Sequence, residues 1–184
     1  MPQSLALEPV DYQPTFALLE SRCSTHAGNV FPARETVLRI FLEDVMNQAA
    51  ETPSIVANLV PEERRMDILP RYFGRHMIRG EIAVYAAMES LCDTYRGGFW
   101  DYVELSNGTF YMAPRTDGPL TVSCDGNGYA GEMSSDAAGI VATLFALNAM
   151  AWSTEDETFT DLYHRLVAFV PSHAEAREIF AAID

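Results

Sequence analysis

Apolar positions recur at helical spacing first in ARETVLRIFLEDVMNQAA, residues 33–50. Val37, Phe41, Val45 and Ala49 share one face there, with Leu38, Leu42 and Met46 beside them. The 32 residues before this stretch carry four prolines and no sustained period, and predict a loosely ordered arm. SIVANLVP, 54–61, is a short apolar piece compatible with strand or helix. PEERRMDILPRYFGRH predicts a short helix that opens at Pro61 and stops at Pro70. Residues 77–96 give the clearest amphipathic helix, with Ile78, Ile82, Tyr85, Met88, Cys92 and Tyr95 at spacings of three and four. Gly97-Gly98 would end it, because glycine accepts a left-handed cap.

The period then changes to two. WDYVELSNGTFYMAP, 100–114, predicts a β-hairpin with Asn107-Gly108 as a two-residue turn. That turn sets Leu105 opposite Phe110 and Val103 opposite Met112, an apolar side suited to a core. The second side carries Trp100, Tyr102, Glu104 and Tyr111. Two readings of it stand open: an interaction surface, since Tyr and Trp combine apolar area with a polar tip, or the underside of covering helices. PRTDG is a further turn, PLTVSC alternates as a strand should, and YAGEM is a fourth short strand. An almost wholly apolar helix follows from about 135 to 152. Thr154/Glu157 and Ser172/Glu175 have capping-box spacing and would open two more helices. The order predicts an α+β fold: a small antiparallel β-meander of three to four strands packed with several helices, in a single domain over 33–184.

Composition narrows the function classes. The chain is 48% apolar and 21% charged, as a soluble globular protein is. Its net charge is −14, and all 12 bases are arginine. Residues 97–184 hold 13 acids against three arginines. Such a surface repels DNA and anionic membrane and attracts basic protein, so no direct nucleic-acid binding is expected. Cys23, Cys92 and Cys124 lie far apart, without CxxC or paired histidine, which suits a reducing compartment and gives no zinc site or disulfide framework. No signal peptide is visible, and AAGIVATLFALNAMAWST suits a core helix better than a membrane span, so a cytoplasmic location is expected.

The candidate chemistry is sparse. GNGYAG, 126–131, matches G-x-G-x-x-G, but the parallel crossover of a dinucleotide fold does not follow it, so a plain turn is the better reading. A small-ligand or nucleotide site at this loop, with Glu132 and Asp136 as its acids, is the alternative class of function. DGNGYAGEMSSD lacks the glycine and terminal glutamate of a calcium loop. His76, His164 and His173 are scattered, and no serine lies in G-x-S-x-G. Arg71, Arg75 and Arg79 would form a basic stripe if helical, yet Gly74 and Gly80 interrupt it and pairing with nearby acids is favoured. No catalytic residues, cofactor or metal are expected.

LPRYFGRHMIRGE (69–81), LCDTYRGGFWDYVELSNG (91–108), FYMAP (110–114) and SSDAAGIVATLFALNAMAW (134–152) resemble the ArdB/KlcA antirestriction family. The resemblance runs from about residue 54 to the C-terminus. It implies a compact α+β fold borne on a plasmid or other mobile element, protecting incoming DNA from type I restriction. It implies no catalytic residues. The partner would be the type I restriction–modification complex or an accessory host protein. Acidic DNA mimicry is the further alternative, disfavoured because the acids are scattered and many sit at helix starts.

Overall fold

The computed structural model describes residues 54–184; the expected arm over 1–32 and helix over 33–50 lie outside them. The described chain runs β1 (Ala57–Leu59), α1 (Arg65–Phe73), α2 (Met77–Leu91), β2 (Trp100–Leu105), β3 (Phe110–Pro114), β4 (Leu120–Cys124), β5 (Tyr129–Met133), α3 (Ser135–Thr154), α4 (Glu157–Phe169) and α5 (Ala176–Ile183). This is the α+β fold. The strands do not form one meander, however. They form a three-stranded antiparallel sheet in the order β1-β2-β3 and a separate β4-β5 hairpin. Pro114 and Pro119 bracket the β3–β4 connection, and neither can donate to a ladder.

The β2–β3 hairpin corrects its expected turn. Gly108 N–H donates to the Leu105 carbonyl at 3.0 Å and Leu105 N–H to the Thr109 carbonyl at 2.8 Å. Three residues, Ser106 to Gly108, therefore make the loop, and Gly108 takes the left-handed position at φ 81°. One more residue in the loop slips the register by one: Tyr102 pairs with Met112, Val103 with Tyr111 and Glu104 with Phe110. Because side chains alternate between faces, the slip redistributes them. Trp100, Tyr102 and Glu104 share a face with Phe110 and Met112. Tyr111 lies on the opposite face with Val103 and Asp101.

The first of these faces is covered by α1 and α2. Phe110 is fully buried, stacks on Tyr72 at a ring separation of 4.4 Å, and meets Phe73 edge-on at 5.4 Å. Trp100 packs against Tyr85 of α2, and its indole N–H donates to Tyr95 Oη at 2.6 Å. Several helix boundaries and faces differ from expectation. Helix α1 runs through Pro70 to Gly74, whose φ is 52°. Helix α2 ends at Leu91, not near Tyr95, and buries Gly80, Val84, Met88 and Leu91 while Ile78 and Ile82 face out. A Cβ on Gly80 would enter the Phe73 ring, so small residues set this contact where bulk was expected to.

Helix α3 is the centre of the core. Eleven of its residues are buried. It is long and apolar enough to cross a membrane, but most of that apolar stretch is buried inside the fold. It closes the free edge of the sheet at β3. Met112 N–H, which points away from β2, donates to Thr143 Oγ1 at 3.1 Å, and Thr143 in turn donates to the Gly139 carbonyl at 2.8 Å. A Cβ on Gly139 would overlap the Met112 carbonyl oxygen and come within 2.6 Å of Ala113 Cα. The later caps also differ from expectation. Asp156, not Thr154, caps α4 by accepting from Thr158 N–H at 3.0 Å. Ser172 donates to the Phe169 carbonyl, and α5 begins at Ala176.

Candidate functional site

The start of α3 gathers the polar side chains that strand β3 and the connection before α5 bring to it. Ser134 is the N-cap, accepting from Ala137 N–H at 3.1 Å. An N-cap serine ahead of an apolar run was a visible sequence signal for this end. Within the first turn, Asp136 accepts from Tyr111 Oη at 3.0 Å and sits 3.0 Å from His173 Nε2. His173 Nδ1 accepts from Glu175 N–H at 3.0 Å, so the ring proton is on Nε2 and points at Asp136. Glu175 folds back onto Ser134, binding both its N–H and its hydroxyl. The involvement of His173 and Glu175 left no trace in the sequence, since 37 residues separate His173 from Asp136.

Two shallow grooves of about 580 and 350 Å3 adjoin at this helix end and share Thr116, Asp117 and Ser135. Carboxylates prevail among the charged groups on their walls: Asp117, Glu132 and Glu175 in one, Asp101, Asp117 and Asp136 in the other. The single arginine lining them, Arg115, is clamped on Asp101 with contacts of 2.6 and 2.9 Å. The field in the grooves is therefore negative, and it favours cationic ligands over phosphate.

The six residues singled out from the sequence divide between core and surface. Trp100 is 4% exposed, Tyr102 7% and Tyr111 3%; they are core rings under helices, and the idea that they form an exposed patch is corrected. Glu104, the acid among aromatics, is explained by α1. It accepts from Arg64 at 2.6 Å, Arg71 at 2.8 Å and Tyr72 Oη at 3.1 Å. Of the three stripe arginines only Arg71 pairs with an acid as favoured; Arg75 donates to His76 and Arg79 to Ser153. Arg65 lies over the Tyr102 ring at 4.9 Å. Only Glu132 and Asp136 reach the grooves, and Tyr111 touches them through Asp136.

Burial pushes the Tyr111 hydroxyl far above the ordinary tyrosine value of 10.0, and the Asp136 charge and hydrogen bond push the same way. Burial raises Tyr72, Tyr85, Tyr95 and Tyr102 too. In each case the fold prefers the neutral phenol. The stability this contributes is complete below the unfolded value, about pH 10, and is lost as pH rises beyond it toward the raised folded values. Urea midpoints are therefore expected to fall above about pH 10. Tyr111→Phe should flatten that fall; an unchanged slope in the variant would count against Tyr111 as a contributor.

The GNGYAG loop is a hairpin turn between β4 and β5, closed by Gly128 N–H on the Cys124 carbonyl at 2.9 Å. Asn127 donates to the Ala181 and Ala182 carbonyls at the C-terminal end of α5. That is the negative end of a helix dipole, which repels a phosphate. The loop does not open α3, which starts only after the whole of β5.

At the start of α3, Tyr111, Ser134, Asp136, His173 and Glu175 bond to one another. The Ser134 hydroxyl is bonded to Glu175, both nitrogens of His173 are engaged, and no described residues form a group of three or more His, Cys, Asp or Glu placed to hold a metal ion. The fold is that of an acidic α+β protein with carboxylate-lined grooves at the start of its central helix. The model of the family "Antirestriction protein" matches residues 93–184. Antirestriction protein KlcA of Escherichia coli is 53% identical over 137 residues, which is 71% of this chain and 94% of that protein. The putative antirestriction protein YubI of E. coli K12 is 33% identical over 132 residues, covering 68% of this chain and 93% of the relative. Among solved structures, one at 50% identity superposes with a TM-score of 0.68 and covers 73% of this chain and 97% of its own. It is described as showing, for KlcA and ArdB, a novel fold and antirestriction activity against type I DNA restriction systems in vivo but not in vitro. The chain belongs to the antirestriction protein family, as the resemblance of its motifs implied.

Proposed function

We propose that this protein protects incoming DNA from host type I restriction inside the cell, by non-covalent contact with the restriction–modification complex or with an accessory host protein, and without chemistry of its own. The observation that carries this reading is the likeness to KlcA and ArdB, whose activity is described as present in vivo and absent in vitro. An inhibitor that acts in cells and not on isolated components requires something the cell supplies, which favours the accessory factor. Cytoplasmic action follows, since that is where the restriction system meets entering DNA.

The arrangement of charge supports recognition over DNA mimicry. Asp101, Glu104 and Asp136 are each held by a partner inside the fold, and no row of free carboxylates at phosphate spacing remains among them. Unmodified phage plated on a type I host is expected to survive restriction when this gene is expressed. Unchanged restriction, with folded protein present, would reject the reading. Purified protein should leave the isolated nuclease active at every salt concentration. Inhibition that weakens as salt rises would favour mimicry instead, because exposed charges are screened.

A further inference from the structure

The junction of α3 and α4 places an exposed tryptophan beside a cleft. Trp152 stands 80% exposed on the last turn of the most buried helix. Glu155 follows in the left-handed conformation, φ 55° and ψ 26°, and reverses the chain. The reversal splays the two helices and leaves a cleft of about 490 Å3. Trp152 and Glu155 lie on one wall, Thr160, Tyr163 and His164 on the other. Tyr163 and His164 pack edge to face at 5.6 Å, while no ring among the described residues stacks on Trp152.

Two sources of negative potential converge on this cleft. Glu155, Asp156, Glu157 and Asp161 surround the junction with no cation between them in sequence. Asp156 is committed to its cap, which leaves Glu155 as the carboxylate lining the cleft. The C-terminal end of α3 adds its dipole, which favours a cation. Arg79 of α2 reaches this helix end and donates to Ser153 Oγ at 3.2 Å, but neither residue lines the cleft, and Arg165 turns toward the β2–β3 loop and the Asn107 carbonyl. An open indole face beside a carboxylate suits a flat, weakly hydrated cation, and arginine fits that description better than lysine. Nucleic acid would bring phosphates into the same negative field.

We propose that this cleft receives an arginine side chain from a basic segment of a partner protein, its guanidinium on Trp152 and paired with Glu155. The inference deepens the protein-contact reading above and rests on it for the partner's biological role.

The chain contains two tryptophans, and Trp100 is buried, so change in emission on ligand addition reports Trp152. Titrating a blocked tetra-arginine peptide into the full chain at physiological salt is expected to give a saturable change in that emission. By calorimetry, binding should weaken about tenfold in Trp152→Leu and fall in Glu155→Gln, while Trp100→Phe keeps it. Absent binding, or wild-type affinity retained in both cleft variants, overturns the proposal. So does an emission change with oligothymidylate, or one produced by protein concentration alone, which would place a second copy in the cleft. In the phage assay, loss of protection by Trp152→Leu with wild type protecting supports the inference. Equal protection by both overturns it and leaves the antirestriction reading standing. Failure of the wild type rejects that reading, and the peptide titration still judges the cleft.

Discussion

Phe110→Ala is expected to destabilise the protein by about 3–5 kcal/mol, measured as a lowered denaturant midpoint in the full chain. The ring is fully buried and joins three elements. It stacks on Tyr72, meets Phe73 edge-on, and through Phe73 reaches Phe159 of α4, whose ring lies 5.9 Å from that of Phe73. Removing it forfeits the transfer energy of a large aromatic and leaves a cavity between the sheet and α1 that rings on two sides cannot readily fill. Native stabilities are about 5–15 kcal/mol, so the variant would sit near the threshold of folding. Phe110→Leu, which keeps most of the volume, should recover much of the loss. A cost below about 1 kcal/mol for the alanine variant would mean that α1 does not pack on β3 as described.

Gly139→Val should be nearly as damaging, about 3 kcal/mol, for the opposite reason. Here the obstacle is excess volume against backbone. The added carbon meets the Met112 carbonyl and Ala113 Cα, neither of which can rotate away. Relief requires α3 to withdraw from β3, which stretches the contact between Met112 N–H and Thr143. Gly139→Ala separates the terms. Alanine gains about 1 kcal/mol of helix propensity over glycine, so its net cost should be smaller than that of valine while keeping its sign. A stabilised alanine variant would show that the helix does not approach the strand this closely.

The sequence was most legible where one local signal decides the structure. The alternation in PLTVSC predicted β4, with Leu120, Val122 and Cys124 buried. The unbroken apolar run predicted a central helix, and α3 is one. It was least legible where a single residue of geometry decides. Asn107-Gly108 fits a two-residue turn, yet the chain uses a three-residue loop, and that slip moved Tyr111 to the other face from Trp100. In α2 the isoleucines suggested the buried stripe, but the buried face runs through Gly80, which packs closely on Phe73, and Val84. The candidate site was legible only in part. Glu132 and Asp136 were named from their positions, while His173 reaches Asp136 and Glu175 reaches Ser134 through tertiary contacts that no local pattern encodes.

The capture of Met112 N–H by Thr143 bears on how partners can engage this protein. An uncovered strand border invites another chain to extend the sheet by main-chain pairing, a mode that tolerates many sequences and also seeds aggregation. At β3 that invitation is withdrawn, because a helix lies where the next strand would go. Along this border a partner must be read through side-chain chemistry, which discriminates between proteins as backbone pairing does not.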